Sequence, residues 1–256
     1  MSTGTNSTGS GWVQRVGPDG KFSIRPYRGS DRSAVRKTCF LTGYMGEPAN
    51  WIWRDQESFS DIFTGYWTDR EPEHALVVEL DGEVVGYLLG CMDSRRVWSV
   101  EKLVARHGFV RGIAFRPGTS RMFWRMITDG IGDSIKHRLP PPTYYDARWP
   151  AHLHIDLLPV CRHSGVGSAL VGRWLDSLRL ADVAGCHLQT MAENTSAIAF
   201  FERMGFAKLG GPDSAPGFRT RSGERMGVQL MVLALAETDQ SPESHAPGSR
   251  APESDV

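Results

Sequence analysis

Between Ile155 and Leu170 an apolar strand pattern crosses Pro159, passes through Arg162-His163-Ser164-Gly165-Val166-Gly167 and continues at once as an apolar helix pattern. Leu170, Leu175 and Leu178, with Val166, Val171 and Trp174, recur at helical spacing through Leu180, and Gly185 stands where a C-terminal stop is expected. A strand, a short glycine-bearing turn and a helix in that order form a pyrophosphate cradle. The glycines allow a tight turn and close approach, while the first helical amides and the positive end of the dipole face an anion. For two glycines alone a plain strand-to-helix turn is an equal alternative, and the helix that follows favours the cradle. A dinucleotide fingerprint needs a third glycine, but counted from Gly165 that position is Leu170, although Gly172 follows; no Gly-Lys-Ser/Thr closes a Walker loop either.

The run Leu157-Leu158-Pro159-Val160-Cys161-Arg162-His163-Ser164-Gly165-Val166-Gly167 resembles motif A of the GNAT N-acetyltransferase superfamily, Gln/Arg-x-x-Gly-x-Gly/Ala after an apolar strand. A second match lies downstream. Asn194-Thr195-Ser196-Ala197-Ile198-Ala199-Phe200-Phe201-Glu202-Arg203-Met204-Gly205-Phe206 is similar to the family's Asn-x-x-Ala-x-x-Phe-Tyr-x-x-x-Gly-Phe segment. The resemblance covers roughly residues 22–235. It implies an α/β (α+β) GNAT fold, with a mixed, mostly antiparallel central sheet of about seven strands and helices on both faces.

Residues 1–20 and 237–256 are expected to be disordered tails around a single domain at 21–236, because their Ser, Thr, Gly, Pro and acidic composition offers little to bury. The 29 basic and 29 acidic residues balance, which gives no electrostatic footprint for nucleic acid or an anionic membrane. No signal-like start and no apolar run near 20 residues is found, so a cytoplasmic location is expected. Cys39, Cys91, Cys161 and Cys186 are widely spaced and predict neither a metal site nor a redox pair.

Strands are predicted at Phe22 to Tyr27, Ala75 to Leu80, Glu83 to Cys91, Ala151 to Leu158, Cys186 to Met191 and Val228 to Leu235, with Asp81-Gly82 as a hairpin turn. Ser30-Asp31 caps a first helix containing Val35 and Cys39. Residues 42–72, rich in Trp, Phe and Tyr, predict short helices that fill the core or line a cleft. Residues from about 92 to 150 are too long for a structureless loop, and they predict a helical insertion that covers the cleft or forms an oligomer contact. This insertion and the run His152 to Pro159 are similar to the bacterial acetyltransferases related to the acetyltransferase-like C-terminal domain of O-GlcNAcase.

The resemblance implies direct transfer of acetyl from acetyl-CoA, as cosubstrate, to an amine on a small molecule or peptide; dimers are frequent in the superfamily, so a homodimer is one expectation, and the sequence leaves the oligomeric state open. It places the diphosphate on the backbone of Arg162, His163, Ser164, Gly165, Val166, Gly167 and Ser168. The pantetheine arm would pair with a splayed strand at Leu157, Leu158, Pro159 and Val160, and the Leu158 N–H would face the thioester oxygen. Ala197, Phe200 and Phe201 would line the arm's channel, and Asn194, which also caps its helix, would reach the arm or the adenosine side. The family commonly has Tyr where this chain has Phe201, and that phenol protonates the departing thiolate. Phenylalanine cannot, and losing a positioned acid costs on the order of 10²-fold in rate. A weak or silent acetyl-CoA-binding module is therefore the competing expectation.

Strand alternation puts His152, His154 and Asp156 on one face and Leu153, Ile155 and Leu157 on the other. Histidine accepts protons near neutrality and a carboxylate two residues on would orient it, so Asp156 is the first candidate for the acetyl-facing polar group and His154 the second. A buried structural network is the alternative. Counted from Arg162, the family's base positions fall on Ala151 and Leu153, an offset that a bulge would close.

Overall fold

The computed structural model describes residues 12–135 and 144–235. The Asp81-Gly82 turn, with both residues in the left-handed region (φ 52° and 84°), joins β3 (Ala75–Leu80) to β4 (Glu83–Cys91) as an antiparallel hairpin. On its outer side the hairpin pairs with β2 (Phe22–Pro26), which pairs in turn with β1 (Gln14–Val16). On the inner side β4 pairs with β5 (Ala151–Leu157). The sheet continues through β6 (Gly185–Met191) to β9 (Arg225–Ala234), whose far edge carries both β7 (Ala207–Lys208) and β8 (Asp213–Arg219). Every pairing is antiparallel except β5 with β6.

Nine strands are therefore described where about seven were expected. β1 and β7 are too short to show a period. β8 contains Pro216-Gly217, a pair disfavoured inside strands, and its pairing with β9 shifts register between Ser214 and Arg219. β1 also shortens the expected N-terminal tail, since residues 14–16 are a sheet edge; residues 1–11 and 236–256 lie outside the described residues.

The period of two in β3 sends Ala75 and Val77 to one face and Leu76 and Val78 to the other, so the sheet divides two cores. Beneath one face lie α5 (Val166–Leu180) and α6 (Thr195–Arg203), packing Leu170, Trp174, Leu178 and Ile198 against Leu88 and Leu153. The other face carries α1 (Arg32–Thr42), α2 (Gln56–Arg70), α3 (Val100–Val110) and α4 (Ser120–Ile135). The aromatic stretch expected to form short helices is mostly the single 15-residue α2, capped by Asp55, whose carboxylate accepts from the Ser58 N–H. Asp31 does precede α1. Its carboxylate, however, binds the buried Arg25 and the Arg28 N–H rather than capping the helix.

The expected insertion is helical where described, as α3 and α4; its residues 136–143 lie outside the described residues. Charged clamps seat it. Asp55 takes Arg111 and Arg116, while Asp129 and Asp133 on α4 take Arg219 and Arg225 of β8 and β9. Among the described residues no helix is long and apolar enough to cross a membrane.

Candidate active site

β5 and β6 pair only at Ala151↔Cys186 and His152↔His187 and then diverge, so β5 from Leu153 onward has no strand partner on that side among the described residues. Along β4 the ladder runs without interruption from Cys91↔His152 to Gly86↔Leu157. No bulge shifts β5, and Ala151 and Leu153 are buried in the α5 core, so the polar face remains on the histidines.

The splay is narrower than expected. The Leu158 N–H donates to the Val85 carbonyl (2.9 Å), and the Leu158 carbonyl accepts from Cys161 as Pro159–Cys161 closes a 3-10 turn. Leu158 is thus spent within the fold and is not the oxyanion donor. In an antiparallel ladder alternate residues bond the same neighbour, so the free backbone groups that face the gap belong to Ile155 and Leu157.

Past the turn, Arg162 is exposed and its Nη2 donates to the Gly46 carbonyl (3.1 Å), while Ser164 Oγ donates to Cys161 O (2.6 Å). Gly165 (φ 78°) is the N-cap of α5 and has no side chain to cap it; the Val166 N–H donates to Ser164 Oγ (3.4 Å), which leaves the Gly167 and Ser168 amides as the open ones of the first turn among the described residues. The second left-handed residue is His163 (φ 58°), not the second glycine. Gly167 serves close approach instead, because a Cβ there would lie 3.3 Å from both Leu157 Cδ1 and Phe200 Cζ. Val166 is fully buried, so only its backbone is available, and Val160 and Ser168 are exposed at the rim. These features form a groove that would accept an extended thiol-terminated arm beside β5 and a diphosphate at α5.

Asn194 caps α6 as expected, accepting from the Ala197 N–H (3.2 Å). Ala197 and Phe200 are half-buried at the groove. Phe201 lies deeper, edge-to-face with Phe200 and Phe206. An open cleft of about 340 Å³ lies where the 44–47 loop, the start of α6 and the β8–β9 turn meet, lined among others by Tyr44, Glu47, Asn194, Ser196 and Arg221.

On the opposite face of β5, His154 and Asp156 come together, with Nε2 3.2 Å from Oδ2. The residue the sequence did not reveal is Tyr87, directly across the ladder from Asp156. Its hydroxyl donates to Asp156 Oδ2 and lies 3.1 Å from His154 Nε2. Burial, reinforced by the Asp156 charge, raises the Tyr87 pKa well above the ordinary phenol value and keeps the hydroxyl a donor. Since its one hydrogen goes to Asp156, donor accounting puts a hydrogen on His154 Nε2, shared between Tyr87 and Asp156, and leaves Nδ1 as the ring's acceptor. Phe63 and Trp67, one turn apart on α2, stack on the imidazole with Tyr87.

Cys39 of α1 completes the group, and among the described residues the thiol, imidazole and carboxylate are the one set of potential metal ligands within 4.8 Å of one another. Burial raises the Cys39 pKa, so the thiol stays protonated, and Tyr87 already bridges the set as a hydrogen-bonded unit. His152 is also on this face, half-buried beside His187 with its Nδ1 enclosed, and burial lowers the pKa of both.

Residues 141–206 match the family model of the GNAT acetyltransferases. Among solved structures the chain is similar to SsHAT at 29% identity and a TM-score of 0.58, over 85% of this chain and 100% of that one. It is also similar in fold to yncA of Salmonella typhimurium, described as a candidate acetyltransferase and solved with its cofactor acetyl-CoA, at 17% identity and a TM-score of 0.51, over 86% of this chain and 96% of that one.

Proposed function

We propose that this chain, a protein of GNAT fold carrying the family's acetyltransferase segment, transfers acetyl from acetyl-CoA directly to an amine. The observation that carries the reading is the junction of an α5 N-terminus whose Gly167 and Ser168 amides take no side-chain cap among the described residues with a β5 edge left unpaired by the splay. Gly167 supports it, since its missing side chain lets Leu157 and Phe200 pack directly against the first turn of α5.

When bound, acetyl-CoA supplies a thioester whose C–S bond breaks as the amide C–N bond forms, the electron pair leaving on sulfur. The Leu157 N–H, free on the gap side of β5, takes the donor role towards the carbonyl oxygen where charge develops. His154 Nδ1 accepts the amine proton, while Asp156 and Tyr87 hold the ring through Nε2. This reverses the order of the two candidates read from the sequence, because the Asp156 carboxylate is committed to Tyr87 and His154. Water protonates the thiolate in place of the absent phenol at Phe201. The acceptor, a small-molecule or peptide amine, enters by the cleft at Glu47 and Arg221. The insertion and the His152–Pro159 run support kinship with the bacterial relatives of the O-GlcNAcase acetyltransferase-like domain, and four free buried thiols fit a reducing cytoplasm.

Phe201 favours a second reading, an acetyl-CoA-binding module without turnover. Calorimetric titration with acetyl-CoA and coenzyme A, followed by thiol release over an amine panel, separates the two. Binding with amine-dependent release that His154→Ala abolishes supports transfer, binding without release supports the module, and absence of binding overturns both.

A further inference from the structure

α4 is seated on β8 by one face and bare on the other. Its inner face presents Met126 to Gly217 and sends Asp129 and Asp133 to Arg219 and Arg225. On the outer face Trp124 (49% exposed), Ile127 (38%), Ile131 (58%) and Ile135 (74%) recur at spacings of three, four and four, a single stripe along the helix. Phe115 (83% exposed) extends the stripe at its N-terminal end, since Trp124 Nε1 donates to the carbonyl of the adjoining Ala114 (3.0 Å). Isolated exposed apolar side chains are ordinary, but five in one line are a patch.

Two glycines add an independent observation. Gly130 and Gly132 lie inside α4, where glycine costs roughly 1 kcal/mol relative to alanine. A Cβ at either position would meet nothing within 4 Å, so packing within the chain does not demand them. They flank Ile131 on the shoulders of the stripe, where they would let a second backbone come close.

We propose that the α4 stripe is the seam of a homodimer, in which α4 of a second copy packs antiparallel across it. The area favours this occupant. With about 150–250 Å² for a large side chain, the exposed fractions amount to roughly 500–700 Å² per copy. A twofold axis doubles that to roughly 1,000–1,400 Å², near the size of a standard specific interface. The residues of this chain outside the described segments include only Met1, Leu139 and Val256 as large apolar side chains, too few to cover the stripe. The antiparallel sense is the one in which a twofold axis crosses the stripe at its midpoint. An axis through the middle of the stripe opposes Trp124 to the second copy's Ile135 and Ile127 to its Ile131, the self-complementary arrangement that a twofold requires. Because α4 clamps β8, the seam would brace the strand leading into the cleft-lining β8–β9 turn.

Sedimentation equilibrium of the full chain, from about 1 to 100 µM, tests the seam directly. The expected result is a dimer that Ile131→Glu weakens by at least about a hundredfold, since the twofold brings a carboxylate from each copy into the centre of the seam. Leu180→Glu, on an exposed residue outside α4, should leave the dimer intact. Circular dichroism melts unchanged in Ile131→Glu would separate loss of the seam from loss of the fold. In a second test Gly132→Ala should raise the melting temperature of the Ile131→Glu monomer yet loosen the dimer in the unaltered stripe. A monomeric wild-type chain at 100 µM, a dimer indifferent to Ile131→Glu, or a monomer that instead sediments with anionic vesicles overturns the proposal.

Discussion

Tyr87 and Asp156 stand opposite one another on the β4–β5 ladder, and the tyrosine hydroxyl donates to the carboxylate that also meets His154. The ladder fixes all three side chains on one face of the sheet, so the position of His154 depends on a residue on the neighbouring strand. Tyr87→Phe keeps the ring stack and removes only the donor. The expected outcome is about 1 kcal/mol less stability, the usual worth of one hydrogen bond. In a thiol-release assay kcat should fall about tenfold with the acetyl-CoA affinity unchanged, whereas His154→Ala should lower kcat by 10²-fold or more. Equal kcat in Tyr87→Phe and the wild type would sink the positioning role.

Gly167 gives a prediction on the binding side. A β-branched side chain there drives into Leu157 and Phe200, which border the groove. Gly167→Val should weaken acetyl-CoA binding by calorimetry at least tenfold, and overpacking should cost about 1–3 kcal/mol of stability. Arg162→Ala should weaken binding only a few-fold, because the Arg162 side chain is exposed and the α5 amides remain.

What could be read from the sequence was local. The Asp81-Gly82 turn, the strands on either side of it and the helix from Val166 to Leu180 each follow from residues within a few positions, and the alternation of His152, His154 and Asp156 is a property of one strand. What escaped depends on pairing. Tyr87 lies in an apolar run, and only the ladder shows that its partner is 69 residues away. The Leu158 amide reads as free because nothing nearby in sequence consumes it, yet Val85 of the neighbouring strand does. β8 was hidden by Pro216-Gly217, and what makes that segment a strand is β9 on one side and the glycine's close approach to Met126 of α4 on the other.

Asp55 joins the insertion to α2. It caps α2 by accepting from the Ser58 N–H (3.3 Å), and it holds Arg111 (2.8 Å) and Arg116 (3.0 Å). Burial pushes its pKa up, but the bonds from Arg111 and Ser58 prevail and hold it at about 2. The stability it contributes is therefore present above the ordinary carboxyl range near pH 4 and lost as pH falls towards 2. Asp55→Ala should cost about 2 kcal/mol at pH 7 in denaturant melts, the sum of a lost cap and a partly exposed ion pair. Hydrogen exchange should quicken in α3 and leave β3 and β4 as before; uniform quickening would mean that the clamp does not act locally.

His152 and His187 set the acid limit at higher pH. Both lie on the side of the sheet away from α5, His187 buried with its Nδ1–H donating to the Trp149 carbonyl (2.7 Å) and His152 half-buried with its Nδ1 enclosed and without a partner among the described residues. Burial lowers the pKa of each; for His152 the neighbouring His187 and His154 add to the effect, and for His187 the Trp149 carbonyl opposes it. On unfolding, both imidazoles regain an ordinary pKa near 6.5, so below that pH the unfolded chain binds more protons than the folded one. Stability is then complete above about pH 7 and falls as pH drops through 6.5, by up to about 1.4 kcal/mol per pH unit for each histidine. His152→Phe removes one titrating group while keeping an aromatic side chain beside Trp67 and His187. The variant's melting temperature should therefore decline less steeply than the wild type's between pH 7 and pH 5. Parallel declines in the two proteins would show that His152 is already charged inside the fold.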